Sequence, residues 1–301
     1  VSGLGGLAAP LFVTLFGWGM YRSKPNVKAR MFQATFLIFC QILVNISSPH
    51  LFNHLTPGIL SLMALLTIIF PLIQYILIKL NKNIIILILM VTFLFQILLP
   101  EIQGIGDWGD RVEDNSLRTI LSNLFLTGTY PLFPWFLLFT IGATISSLET
   151  KSSQSLPVNQ KSILVVVIGS LFCIVTFIMA QYNDKLWAHP TSDAYLTFFP
   201  ANPAFIVAAI TGTLLIWFLV QHFVLSLLAS TGRISLTIYV IHFIPLSLMH
   251  NFENDYQWSV GLSASIVMLY TLIWIPISLL WLKYLPSINL EKLLRLARKS
   301  L

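Results

Sequence analysis

The chain has 301 residues, of which 56% are hydrophobic and 9% charged, with a formal net charge of +6 and a mean hydropathy of +0.84. So few polar groups cannot cover the surface of a water-soluble fold, which excludes a soluble domain. The positive balance then belongs to retention at a membrane surface and is no sign of a nucleic-acid partner.

Crossing about 30 Å of hydrocarbon takes about 20 apolar residues in a helix. Nine such segments are predicted, at 3–21, 30–48, 57–79, 84–100, 131–149, 162–181, 204–228, 234–251 and 258–282. The fold class is therefore all-α: a polytopic transmembrane bundle over 1–285, followed by a tail at 286–301.

The first segment aligns Gly3, Gly6, Pro10, Thr14 and Gly17 at spacings of three and four, a narrow small-residue face suited to close helix packing. The second carries Gln41 and Asn45 on one face. These amides turn inward, as interhelical hydrogen bonds or as part of a polar cavity. His50 and His54 follow at a spacing of four, without a third ligand to suggest a metal. Pro71 is expected to kink the third segment, and the fourth is close to the lower length limit.

The loop before the fifth segment contains GIGDWGDR, where Asp107, Trp108 and Asp110 sit among glycines. Carboxylates beside a flat ring can hold a hydroxylated or amino sugar, and a solvated acidic loop has the same composition. YPLFPW opens the fifth segment. Its prolines belong at an irregular helix entrance, and Tyr130 and Trp135 suit either the membrane interface or stacking on an acceptor. At Ala201–Pro203 a turn starts the seventh segment, with Asn202 placed to cap the helix or line its mouth. Cys40 and Cys173 lie within apolar segments as small hydrophobes, and the sequence has no metal-ligand spacing.

In GRISLTIYVIHFIPL, Ser235, Tyr239 and His242 recur at spacings of four and three, so hydroxyl, phenol and imidazole share a helix face. A histidine near mid-membrane faces a bundle interior or a wet cavity. With an ordinary pKa of about 6.5 it can accept a proton from an attacking amine or alcohol, or it can tie helices together. The tail, INLEKLLRLARKSL, reads as an amphipathic helix on the cytoplasmic membrane surface.

Lys and Arg mark the cytoplasmic side. With the first helix running inward, alternate loops collect Arg22, Lys24, Lys28, Arg30, Lys79, Lys82, Lys151, Lys161, Arg233, Lys283, Lys292, Arg295, Arg298 and Lys299, which is 14 of the 17 basic residues. The opposite side holds nine of the 11 acids. This topology puts the C-terminus in the cytoplasm and fits a multi-pass protein of the cell (inner) membrane. An outside start at Val1 with an odd count leads to the expectation of a further helix upstream, giving ten or more in the complete protein.

Three stretches, AAPLFVTLFGWGMYRS, YPLFPWFLLFTIGATIS and GRISLTIYVIH, together resemble the heparan-alpha-glucosaminide N-acetyltransferase-like family of multi-helix membrane acyltransferases. The resemblance implies transfer of an acetyl or other acyl group from cytoplasmic acyl-CoA to a sugar or other hydroxyl or amine acceptor on the far side, with no permanently bound cofactor. It implies that His242 is catalytic, supported by Tyr239 and Ser235. Arg22, Lys24, Arg30 and Arg233 would supply cations for the donor's phosphates, although retention at the cytoplasmic face explains the same residues. Asp107, Trp108, Asp110, Tyr130, Trp135 and Asn202 would serve the acceptor. The family's outer-loop histidine would fall upstream of Val1, and Ala8 and Ala9 stand where an acid can precede the family's proline. A polysaccharide O-acyltransferase of the broader membrane families, or a non-catalytic subunit or transporter, fits the same bundle. The expected partners are membrane lipid, acyl-CoA, the acceptor, and copies of the chain or a membrane complex.

Overall fold

The computed structural model describes residues 6–79, 83–104, 107–148, 160–191, 194–223 and 225–300. Gly3, Lys82 and Lys151 lie outside the described residues.

The first half contains α1 (Ala8–Ser23), α2 (Val27–Ser47), α3 (Ile59–Lys79), α4 (Asn83–Leu98), a 3₁₀ turn (Pro100–Gln103), α5 (Trp108–Val112), α6 (Leu117–Ser122) running into a π-helical turn (Asn123–Thr127), and α7 (Leu132–Leu148). The second contains α8 (Gln160–Tyr182), the strands β1 (Leu186–His189) and β2 (Ala194–Thr197), α9 (Pro203–Val220), α10 (Ser226–Arg233), α11 (Ser235–Ile241), α12 (Phe243–Tyr256), α13 (Val260–Tyr284) and α14 (Leu290–Ser300).

Among the described residues five helices are long and apolar enough to cross a membrane alone, and seven if each bent pair is one span. The other two expected segments are α1 and α4, each of 16 residues. α3 is a single element through Pro71. The segment expected at 204–228 ends earlier, at Val220, before the polar pair Gln221–His222. Residues 226–233 instead join the eighth segment across a 65° bend. The sequence reading also lacked strands; β1 and β2 form a short parallel ribbon beside α8 and α9.

The small-residue face of α1 is a packing device. A Cβ on Gly17 would stand 2.1 Å from the Phe139 carbonyl oxygen, and one on Gly142 only 1.8 Å from that of Thr14. α1 and α7 therefore cross at backbone contact, which side chains would prevent. Around this crossing Val13, Leu37, Leu62, Phe70, Phe139 and Ile206 form the core. The outer faces of α8 and α13 expose Ile168, Phe177, Met268 and Leu269, as expected where lipid is the solvent.

Gln41 and Asn45 act as ties, and both also border a mostly apolar cavity of about 270 Å³. The Gln41 amide donates to Asn45 Oδ1 at 2.8 Å and its oxygen accepts from Leu60 N at 3.1 Å. Asn45 Nδ2 donates to the carbonyls of His54 and Thr56. These bonds fasten α2 to the chain entering α3. His50 and His54 lie in the intervening loop and not on a helix. His50 stacks on His250 with centroids 4.3 Å apart, and burial together with His250 lowers its pKa.

α14 docks on the bundle instead of lying apart from it, touching α2 and α11. Glu291 accepts from Leu236 N at 2.6 Å, Thr237 N at 3.1 Å and Thr237 Oγ1 at 2.6 Å, so the tail caps the first turn of α11. Glu291→Ala removes this cap and should cost about 1–2 kcal/mol. Trypsin cleavage at Lys292 and Arg295 should accelerate; an unchanged cleavage rate would mean that the cap does not hold the tail.

Candidate functional site

α11 and α12 meet at His242, whose backbone (φ −64°, ψ −19°) is close to helical. Its Nδ1 lies 2.7 Å from the Tyr239 carbonyl oxygen and 3.2 Å from that of Ile238. Carbonyl oxygens only accept, so the ring hydrogen sits on Nδ1 and Nε2 keeps its lone pair. Nε2 has no hydrogen-bond partner among the described residues. The joint is braced from two sides: Tyr270 Oη donates to the His242 carbonyl at 2.5 Å, and Ser48 Oγ to that of Phe243 at 3.4 Å.

A chain of rings runs from this imidazole. His242 packs on Phe243 at 4.2 Å and on Tyr239 at 5.5 Å, and Tyr239 in turn on Phe12 of α1 at 6.2 Å. Phe243 meets Phe52 at 6.1 Å, Phe52 meets Trp108 at 6.1 Å, and Trp108 meets Phe199 at 5.2 Å. Phe199 lies 6.0 Å from Tyr130, which lies 5.1 Å from Trp135. Of the expected site residues, His242, Tyr239, Trp108, Tyr130 and Trp135 thus share one aromatic assembly, although they come from distant parts of the chain.

Their exposure differs. Trp135 is fully buried, and its indole N–H has no partner among the described residues. Trp108 Nε1 donates to the Leu51 carbonyl at 3.0 Å, which pins α5 to the loop after α2. Asp107 and Asp110 are exposed. Asn202 both caps α9, accepting from Phe205 N at 2.8 Å, and donates to the Tyr195 carbonyl at 2.9 Å. Ser235 is exposed at the start of α11.

The expected donor cations are not gathered in one place. Arg22 lies over the Trp18 ring at 4.8 Å and Lys24 over the Tyr21 ring at 5.4 Å, each on an aromatic of its own chain segment. Arg30 is half-buried on α2. Arg233 lines a cleft that none of these three lines.

An apolar cavity of about 650 Å³ lies beside the ring assembly, walled by Cys173, Trp187, His189, Phe198, Phe205 and Tyr130. His242 does not line it, and Tyr130 belongs to both. Among the described residues no group of three or more His, Cys, Asp or Glu could hold a metal ion.

Arg111 was not anticipated. Its side chain is 2% exposed and donates to the carbonyls of Thr127 (2.8 Å), Gly128 (3.3 Å), Gly104 (3.1 Å) and Gln103 (3.4 Å). It clamps the 3₁₀ turn and the π-helical turn together immediately before Tyr130. Phe52, Phe198, Phe199 and Phe243 were also missed. The available signal was FFP at 198–200, an aromatic ahead of a proline that repeats the pattern of LFPW at 132–135.

Compared with known proteins, residues 59–281 match a family model described as an acyltransferase domain. No curated protein and no solved structure gives a significant match.

Proposed function

Because the chain belongs to this acyltransferase-domain family, we propose that it is an integral membrane enzyme moving an acetyl or other acyl group from cytoplasmic acyl-CoA to a sugar or similar acceptor on the outer face. The observation that carries this reading is the state of His242, whose Nδ1 is occupied by a backbone carbonyl while Nε2 keeps its lone pair. In the proposed step Nε2 takes the proton of the acceptor's hydroxyl or amine as that heteroatom attacks the thioester carbonyl. The C–S bond then breaks, and the proton passes from Nε2 to the departing thiolate. The bracing of the joint by Tyr270 and Ser48 suits this role, since a general base must keep its orientation.

Tyr239 supports the imidazole and Ser235 lies a turn nearer the cytoplasm on the same helix. Tyr130 and Trp108 are proposed to face the acceptor, with Trp135 and Asn202 holding that wall and Asp107 and Asp110 offering carboxylates to its hydroxyl or amino groups. Arg22, Lys24, Arg30 and Arg233 are proposed to attract the donor's phosphates at the cytoplasmic face. Within the family, the reading favours members like the heparan-alpha-glucosaminide N-acetyltransferases; polysaccharide O-acylation is the variant of the same chemistry with a hydroxyl acceptor.

The required topology has its own test. In a background with Cys40 and Cys173 replaced by Ser, cysteines introduced at Asn115 and Ser23, both exposed, should react with an impermeant maleimide from opposite sides of the membrane. The expectation follows from the distribution of basic residues. Labelling of both from one side would rule out the topology on which transfer across the membrane depends.

A further inference from the structure

We infer that the cleft between the end of α10 and the C-terminal helix is a binding site for a phosphate-bearing ligand, either the phosphates of a coenzyme A donor or the headgroup phosphate of an anionic lipid. The cleft measures about 320 Å³ and brings together Arg233 of α10, Leu282 near the end of α13, and Pro286, Asn289, Lys292 and Arg295 of the tail. Retention at the cytoplasmic face accounts for each cation's side of the membrane. It does not account for three cations, 59 or more residues apart along the chain in the case of Arg233 and the tail pair, converging on one concavity.

Among the described residues no carboxylate lines this cleft. Glu291, the acid next to Lys292 in sequence, is turned away and committed to the first turn of α11. That same bond fixes the tail against the bundle, so Lys292 and Arg295 are held opposite Arg233 instead of drifting on a loose terminus. The first turn of α14 is set further by Asn289, whose Oδ1 accepts from Lys292 N at 2.7 Å, and Lys292 Nζ donates to Ser287 Oγ at 2.9 Å. Like charges held together repel, and an anion with several acceptor oxygens relieves that repulsion through charge-assisted hydrogen bonds. Leu293 and Leu296 on the same helix are 51% and 55% exposed, which sets the cleft at headgroup depth, within reach of a lipid phosphate or of a soluble nucleotide.

The coenzyme A arm rests on the acyltransferase reading; the lipid arm does not. The test compares the full gene product with the triple variant R233Q/K292Q/R295Q, which leaves Glu291 and therefore the docking of the tail intact. Binding of free coenzyme A is measured by calorimetry in detergent, and retention of phosphatidylglycerol by native mass spectrometry from nanodiscs. The triple variant is expected to lose about tenfold or more in one of the two, with the wild-type binding weakening as salt rises. Loss of coenzyme A binding alone identifies the donor; loss of lipid retention alone identifies the headgroup. Both unchanged within twofold would overturn the site, and wild-type acyl transfer measured in parallel reports on the enzymatic reading independently. Should the triple variant melt early, Arg295→Gln alone, at an exposed side chain, should still weaken the same ligand by about threefold.

Discussion

Replacing His242 by Gln is expected to lower acyl transfer by about 100-fold or more, while the purified protein should melt close to the wild type. The amide of Gln, whose nitrogen sits one bond further out than Nδ1, can fold back to donate to the carbonyl of Tyr239 or Ile238, so the joint between α11 and α12 is expected to keep a bond. What it lacks is the basic lone pair of Nε2. His242→Leu removes both and should lose activity together with stability. A histidine that merely tied helices together would give the opposite pattern, with the Gln variant active and the Leu variant unstable. Transfer to acceptor and thermal melting, measured on the same preparations, separate the two, and near-normal activity in His242→Gln would remove the general base from the mechanism.

The second large effect concerns Arg111. Arg111→Met leaves up to four backbone carbonyls without their donor in the turns that precede α7 and is expected to cost about 3 kcal/mol or more. For a chain of this size that corresponds to a fall in melting temperature of roughly 5 °C. Arg111→Lys should recover part of the loss, because an ammonium keeps the charge but cannot span carbonyls on two turns as the planar fork does. Since the clamp ends at Gly128, two residues before Tyr130, activity in the Met variant should fall even at temperatures where it remains folded. A melting temperature within 2 °C or so of the wild type would show that the four bonds contribute little.

These residues also mark how far the sequence could be read. The helical segments were legible because lipid imposes a length and a composition that any spanning helix must satisfy, and a close helix approach to α1 followed from the small-residue face that includes Gly17, although not that the partner is α7. His242 and Tyr239 stood out because an imidazole and a phenol at helical spacing are costly within an apolar run. Arg111 did not stand out. As one of the few basic residues in an acidic loop it carried no mark of its partners, which are carbonyls supplied by two turns that form only when the loop folds. The role of Glu291 was hidden for a similar reason: amphipathic spacing describes a helix at a surface equally well when it docks on protein. The ring assembly from His242 to Trp135 depends on Phe52 and Phe199, whose contacts are made by tertiary packing and leave no periodic trace.

Acyl transfer across a sealed membrane tests the central claim most directly. The full gene product is reconstituted into proteoliposomes, with acetyl-CoA radiolabelled in its acetyl group on the side of the basic loops and amino sugars or hydroxylated oligosaccharides on the other. The account predicts labelled acceptor on the far side, abolished by His242→Gln and absent when donor and acceptor are exchanged between compartments. Folded wild-type protein that leaves the label on coenzyme A with every acceptor supplied, or that transfers equally well from either side, would contradict it.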